Sequence, residues 1–186
     1  MTATGRIFRA AAAAALVLLP VSGMAAQADT PAAEPVPAHG PELSGLERLT
    51  AMEEVKDLRL TFCRALDSHD WTTLRSTMTD DVELHTADAS GKTDIVFDKK
   101  GIDEAMAFMQ QILSHGDTDH ICVMPQFQFI TADQARALWF IDGYGDMNGK
   151  VILGFERIVE DYVRVGGKWR IKKADARMQA MVSLPK

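Results

Sequence analysis

The chain has 186 residues, of which 20 are Lys or Arg and 26 are Asp or Glu, for a formal net charge of −6. That acidic balance argues against nucleic acid or an anionic lipid surface as a partner. Two cysteines, Cys63 and Cys122, allow at most one disulfide.

Residues 1–28 carry, in order, Arg6 and Arg9, an apolar run from Ala10 to Leu19, and small residues ending Ala26-Gln27-Ala28. This is the layout of a signal peptide. Cleavage is expected after Ala28, with a periplasmic or secreted destination. The run is shorter than the roughly 20 residues that cross a bilayer, and no later segment is long or uncharged enough, so no membrane span is expected after cleavage. Cleavage removes two arginines and no acid, leaving 158 residues at a formal charge of −8. Residues 29–43, rich in Pro and Ala without an apolar period, read as a flexible linker. One domain is expected over 44–183.

Ser44-Gly45-Leu46-Glu47 has the spacing of a capping box. Apolar residues then recur at Leu46, Leu49, Met52, Val55, Leu58, Phe62 and Leu66, one face of a long helix. Thr50 and Glu53 offer a second cap that would break it. The helix should end at Ser68-His69-Asp70, and Asp70 is placed to cap a short helix from Trp71 to Met78. Short strands are expected at 82–86 and 94–97 around a turn at Ala89-Ser90-Gly91, then a third helix from Gly101 to Ser114. From there the period changes to that of long strands, at about 119–130, 134–146, 151–165 and 168–181. Helices first and strands last predict an α+β domain: a curved antiparallel sheet, coned by its own twist and closed by the N-terminal helices around one pocket.

Two residues in this layout carry chemistry. Asp67 lies one turn after Cys63 at the edge of the apolar stripe. With Asp70 better placed to cap the next helix, Asp67 is less explained by structure alone. His120 begins a strand on which His120, Cys122 and Met124 share a face by alternation, opposite Ile121, Val123, Phe127 and Phe129. Pro125 cannot donate to the ladder and should mark a bulge or an edge. Taken singly, an acid at a helix end and a histidine beside Cys and Met also fit ordinary structural roles.

The run LDSHDWTTLRSTMTDDVEL, the segment TDHICV and the closing VRVGGKWRI resemble the SnoaL-like family of the nuclear transport factor 2-like fold, over about residues 45–182. Members such as scytalone dehydratase and hexachlorocyclohexane dehydrochlorinase carry a pocket Asp and His at the positions of Asp67 and His120. The resemblance thus implies a dyad in which the carboxylate orients an imidazole that takes a proton from carbon. The activity implied is that of a cofactor-independent lyase or isomerase on a small apolar molecule. The alternative is a non-catalytic ligand-binding or accessory domain, since the fold hosts both. A homodimer is also implied. The chain departs from those members where the dehydratase has a second histidine, here Gly145. It departs again where the dehydrochlorinase has Lys or ketosteroid isomerases have Tyr, here Phe62, and where the isomerases have their catalytic Asp, here near Thr86.

Tyr144, between Gly143 and Gly145, is the candidate replacement acid, its flanks suggesting a bulge or a close backbone approach. Phe62, Cys63, Cys122, Met124, Trp139 and Arg157 are the candidate ligand contacts. Arg157 lies on the face Val151, Leu153, Phe155, Val159, Asp161 and Val163, where it either orients a polar group of a ligand, pairs with Asp161 or Asp67, or turns outward. Trp139 reads as core by default. Met178 and Met181 read as adaptable apolar surface that serves the core in preference to a cofactor contact. The run His115-Gly116-Asp117-Thr118-Asp119-His120 lacks convergent spacing, so no metal is expected. Cys63 and Cys122 project toward the same cavity if Asp67 and His120 meet, and either pair or remain thiols.

Overall fold

In a computed structural model, which describes residues 42–88, 97–114, 116–147 and 149–185, Ser44 caps helix α1, Gly45–Asp67. Its side chain accepts the Glu47 backbone N–H while the Glu47 carboxylate accepts the Ser44 N–H. The helix is unbroken. Thr50 Oγ1 donates back to the Leu46 carbonyl instead of opening a second cap. The buried face is Ala51, Val55, Arg59, Phe62, Cys63 and Ala65, whereas Leu46 and Leu49 are exposed.

Asp70 caps α2, Trp71–Ser76, by accepting both the N–H and the Oγ1–H of Thr73. The helix stops short of Met78 because the Thr77 carbonyl already accepts the Ile171 N–H from the sheet. Then follow β1 (Met78–Asp88), β2 (Phe97–Lys100), α3 (Ile102–Leu113), β3 (Gly116–Ile130), β4 (Gln134–Met147), β5 (Lys150–Val165) and β6 (Lys168–Pro185). The expected signal and most of the linker, the turn at Ala89-Ser90-Gly91, the start of the strand expected at 94–97, and His115 lie outside the described residues.

The six strands form one sheet in the order β2-β1-β6-β5-β4-β3. Neighbours are antiparallel except β1 and β6, which run parallel. Strands this long twist and coil, so the sheet curves without closing. Helix α1 packs against β3 and β6 and α3 against β1, which completes the cone expected from the sequence. Val55, Leu74, Val82, Trp139, Tyr162 and Ile171 are among its most deeply buried side chains.

Strand β3 breaks its own alternation at the place Pro125 marks. Met124 adopts a left-handed φ of 50°, and the pairing with β4 slips between Val123 and Gln126. The slip matters for the site because it ends the face on which His120 and Cys122 lie.

Candidate active site

Asp67 is the last residue of α1, and His120 lies on β3 beneath it. Asp67 Oδ2 accepts the His120 backbone N–H at 2.9 Å. Its Oδ1 accepts the Thr118 hydroxyl at 2.8 Å and stands 2.6 Å from His120 Nδ1. An ionised carboxylate only accepts, so the hydrogen of a neutral ring belongs on Nδ1 and the lone pair on Nε2. On the neighbouring strand His120 pairs with Gly143. A Cβ there would lie 3.5 Å from His120 Cδ2 and 3.7 Å from Nε2, so anything longer than a methyl would crowd the basic edge of the ring. The pairing of β4 on both sides is regular through Gly143, Tyr144 and Gly145. These glycines thus permit close approach and make no bulge.

The dyad lies on the wall of a cavity of about 380 Å³. Its lining is mostly apolar, with Phe62, Met109, Ile141, Ile158, Met178 and Met181 among the contributors. The lining also includes Arg59, His85, Glu156 and Glu160. Arg59 Nη1 donates to Glu160 Oε1 at 2.7 Å, and the Arg59 guanidinium covers the Phe62 ring at 4.7 Å. The Tyr162 hydroxyl donates to Glu160 and accepts Trp139 Nε1–H at 2.7 Å. Burial pushes the Glu160 carboxyl up, and Arg59 opposes it. Burial, aided by Glu160, pushes the Tyr162 hydroxyl well up. Burial also raises Glu156, against the pull of His120 and Arg59.

Of the ligand contacts expected from sequence, Phe62 and Cys63 line the cavity. Cys63 is disulfide-bonded to Cys122, which is buried beside the cavity without lining it. That corrects the expected ligand contact at Cys122, and four further expectations need correction. Met124 is 68% exposed, carried off the His120 face by the slip at Pro125. Trp139 is sealed in the core by its bond to Tyr162 and does not reach the cavity. Tyr144 borders the cavity mouth, but it pairs with Asp119 and Leu153, which puts its ring on the face opposite His120. Arg157 also lies on that outer face, over the Phe140 ring at 5.5 Å, while Asp161 pairs with Arg136.

The inner face of β5 is Ile152, Gly154, Glu156, Ile158 and Glu160, the register opposite to the one the apolar row suggested. Sequence reasoning passed over Arg59, Glu156, Glu160 and Tyr162. A signal for Arg59 was present, since it sits four residues after Val55 and three before Phe62, within the stripe. Among the described residues no group of three or more His, Cys, Asp or Glu is placed to hold a metal ion, and no helix is long and apolar enough to cross a membrane.

Residues 47–175 match the family model described as a SnoaL-like domain. No curated protein sequence matches the chain significantly. Among solved structures, a type 2 hexachlorocyclohexane dehydrochlorinase is similar at 22% identity and TM-score 0.66, over 76% of this chain and 93% of that one. A protein from Novosphingobium aromaticivorans, provisionally assigned as a scytalone dehydratase, is similar at 15% identity and TM-score 0.66, over 75% and 91%. A protein of unknown function from Nostoc punctiforme is similar at 19% identity and TM-score 0.58, over 75% and 96%. At these identities the likeness is one of fold.

Proposed function

The chain belongs to the SnoaL-like family, and from that premise we propose that it is an exported enzyme that removes a proton from carbon in a small, largely apolar molecule, leading to elimination, hydration or isomerisation. The observation that carries this reading is the 2.6 Å contact between Asp67 and His120 on the wall of an apolar cavity. Asp67 fixes the tautomer and the orientation of the ring, and its charge stabilises the imidazolium that forms. Nε2 is the base. Proton transfer of this kind requires no metal or cofactor, only a base, a desolvated ligand and a place for the electrons to go.

Two similar structures, a dehydrochlorinase and a protein provisionally assigned as a scytalone dehydratase, bear the names of eliminations, which supports the class without naming the substrate. Residues 1–28 support export, and a disulfide is at home in the oxidising compartment export implies. The outer sheet face exposes Ile121, Tyr144, Phe155, Val182 and Leu184, which supports a homodimer formed there. Sedimentation of wild type and Phe155→Lys tests it: a dimer that becomes a monomer is expected, and an unchanged dimer places the interface elsewhere.

The alternative, a binding domain that does no chemistry, draws on the Met109, Met178 and Met181 lining, which adapts to many shapes. Native mass spectrometry of the purified protein should identify a retained small molecule, and incubation in D2O should then place deuterium on its carbon. His120→Ala should abolish that exchange while retaining the fold. Exchange at the wild-type rate in His120→Ala would remove the enzyme reading and leave the binding one.

A further inference from the structure

Outside Asp67 and His120 the cavity lining holds five titratable side chains: Arg59, His85, Tyr144, Glu156 and Glu160. Arg59 Nη1 is held by Glu160, although Arg59 Nε has no hydrogen-bond partner among the described residues, and Tyr162 completes Glu160. Glu156 is different. Its carboxyl lines the cavity and has no hydrogen-bond partner among the described residues.

The register says where that carboxyl stands. His120 pairs with Gly143, which adds no side chain next to the ring, and Gly143 pairs with Gly154, over which the Met178 thioether lies. Glu156 is the next inner-face residue along β5 after Gly154. It therefore stands on the same inner face as His120 and lines the same cavity, with Met178 beside it.

We propose that Glu156 is the proton donor that works opposite His120, delivering its proton to the oxygen that leaves or gains charge on the same ligand. This rests on the proton abstraction proposed above. For a β-hydroxyketone the step balances as follows. His120 Nε2 takes the proton from the carbon next to the carbonyl, and the C–H electron pair becomes the new C=C bond. The C–O bond to the hydroxyl breaks, and Glu156 protonates that oxygen so that it departs as water. Imidazolium and carboxylate remain, and transfer of the proton from one to the other restores both.

The charges around Glu156 suit this order of events. From α1 it faces Arg59, already engaged by Glu160; from β3 it faces His120; on β5 itself Glu160 is two inner positions away. Its partners on β4 and β6 are the uncharged Ile141 and Met178. Burial favours the protonated form of Glu156, while a charged His120 and Arg59 favour its release. Abstraction by the base thus favours donation by the acid.

The test uses 3-hydroxycyclohexanone in D2O followed by proton NMR, which reads deuterium entry at C2 and formation of cyclohexenone separately. Wild type should show both. Glu156→Gln should keep the exchange and lose enone formation by about a hundredfold or more, the usual worth of a positioned acid. Glu156→Asp should recover part of it. In parallel, the infrared carbonyl band of a protonated carboxyl should be present in ligand-free wild type at neutral pH and absent from Glu156→Gln. Enone formation at the wild-type rate in Glu156→Gln, or no difference in that band, overturns the assignment. A wild type with neither exchange nor enone overturns the parent reading, and a band lost in Glu156→Gln then locates the failure in the base, not in the acid.

Discussion

The Cys63–Cys122 bond joins the turn of α1 before Asp67 to the strand segment after His120. Its removal, by Cys63→Ala with Cys122→Ala or by reduction of wild type, is the perturbation whose size follows most directly from the structure. The bond spans a sequence separation of 59 residues. The chain-entropy relation for a loop of that length gives about 4 kcal/mol of stabilisation, through restriction of the unfolded chain. Against a typical domain stability of roughly 5–15 kcal/mol that is a large share. Urea unfolding followed by tryptophan fluorescence is the assay, since Trp139 is buried and changes environment on unfolding. Reduced wild type and the double variant should unfold at similar, clearly lower urea concentrations than oxidised wild type. The Asp67–His120 contact should survive in the folded fraction, because Asp67 is held to β3 by the Thr118 hydroxyl and the His120 N–H. Two refutations are available. Thiol titration of the denatured, non-reduced protein that finds two free thiols removes the bond itself. Equal midpoints with and without reductant remove the entropic argument.

Asp67→Asn puts an amide N–H2 against one of three groups that donate to the carboxylate, so His120 loses its tautomer and its counter-charge. Deuterium exchange into a bound ligand should fall by about 10²–10⁴-fold, and a fall under threefold would show that Asp67 is structural. Arg59→Met leaves Glu160 buried without its cation, for which a loss of about 3–5 kcal/mol is expected. That loss should be larger at pH 8 than at pH 5, where Glu160 can take a proton, and a pH-independent loss would contradict the pairing. Glu156 is raised above the ordinary 4.5 in the fold, so its contribution to stability is full below that value and declines as pH rises through the raised one. Urea midpoints of Glu156→Gln should therefore decline less with rising pH than those of wild type, and parallel slopes would show Glu156 to be solvated.

The cone was legible because its signals are local. A capping box, an apolar stripe, a change to long strands and the turns between them each specify their own element, and together they leave few architectures. One pairing was not local: β1 runs parallel to β6, and nothing within 78–88 announces a partner ninety residues away. The positions of Asp67 and His120 were legible through resemblance, and their residue types alone would not have singled them out from capping acids and core histidines.

What sequence could not resolve was which face of each strand turns inward. Strict alternation carried Met124 along with His120, and one left-handed residue before Pro125 undid it. In β5 the row Val151, Leu153, Phe155 looked like the core face and is the outer one, because the inner row substitutes Gly154, Glu156 and Glu160 for the hydrophobics a core would have. A one-residue change of register exchanges every side chain between faces, so this single inversion accounts for choosing Arg157 and missing Glu156. The inversion also has a physical cause. A strand that walls a cavity is under less pressure to be apolar inward than one packed on a core, and a dimer surface would reward being apolar outward. Chemistry in such a sheet is best sought on the face that looks too polar to be buried. Here that face carries two glutamates, and Glu160 already holds Arg59 of α1. Glu156 is the carboxyl left over, and burial raises it against the pull of His120 and Arg59.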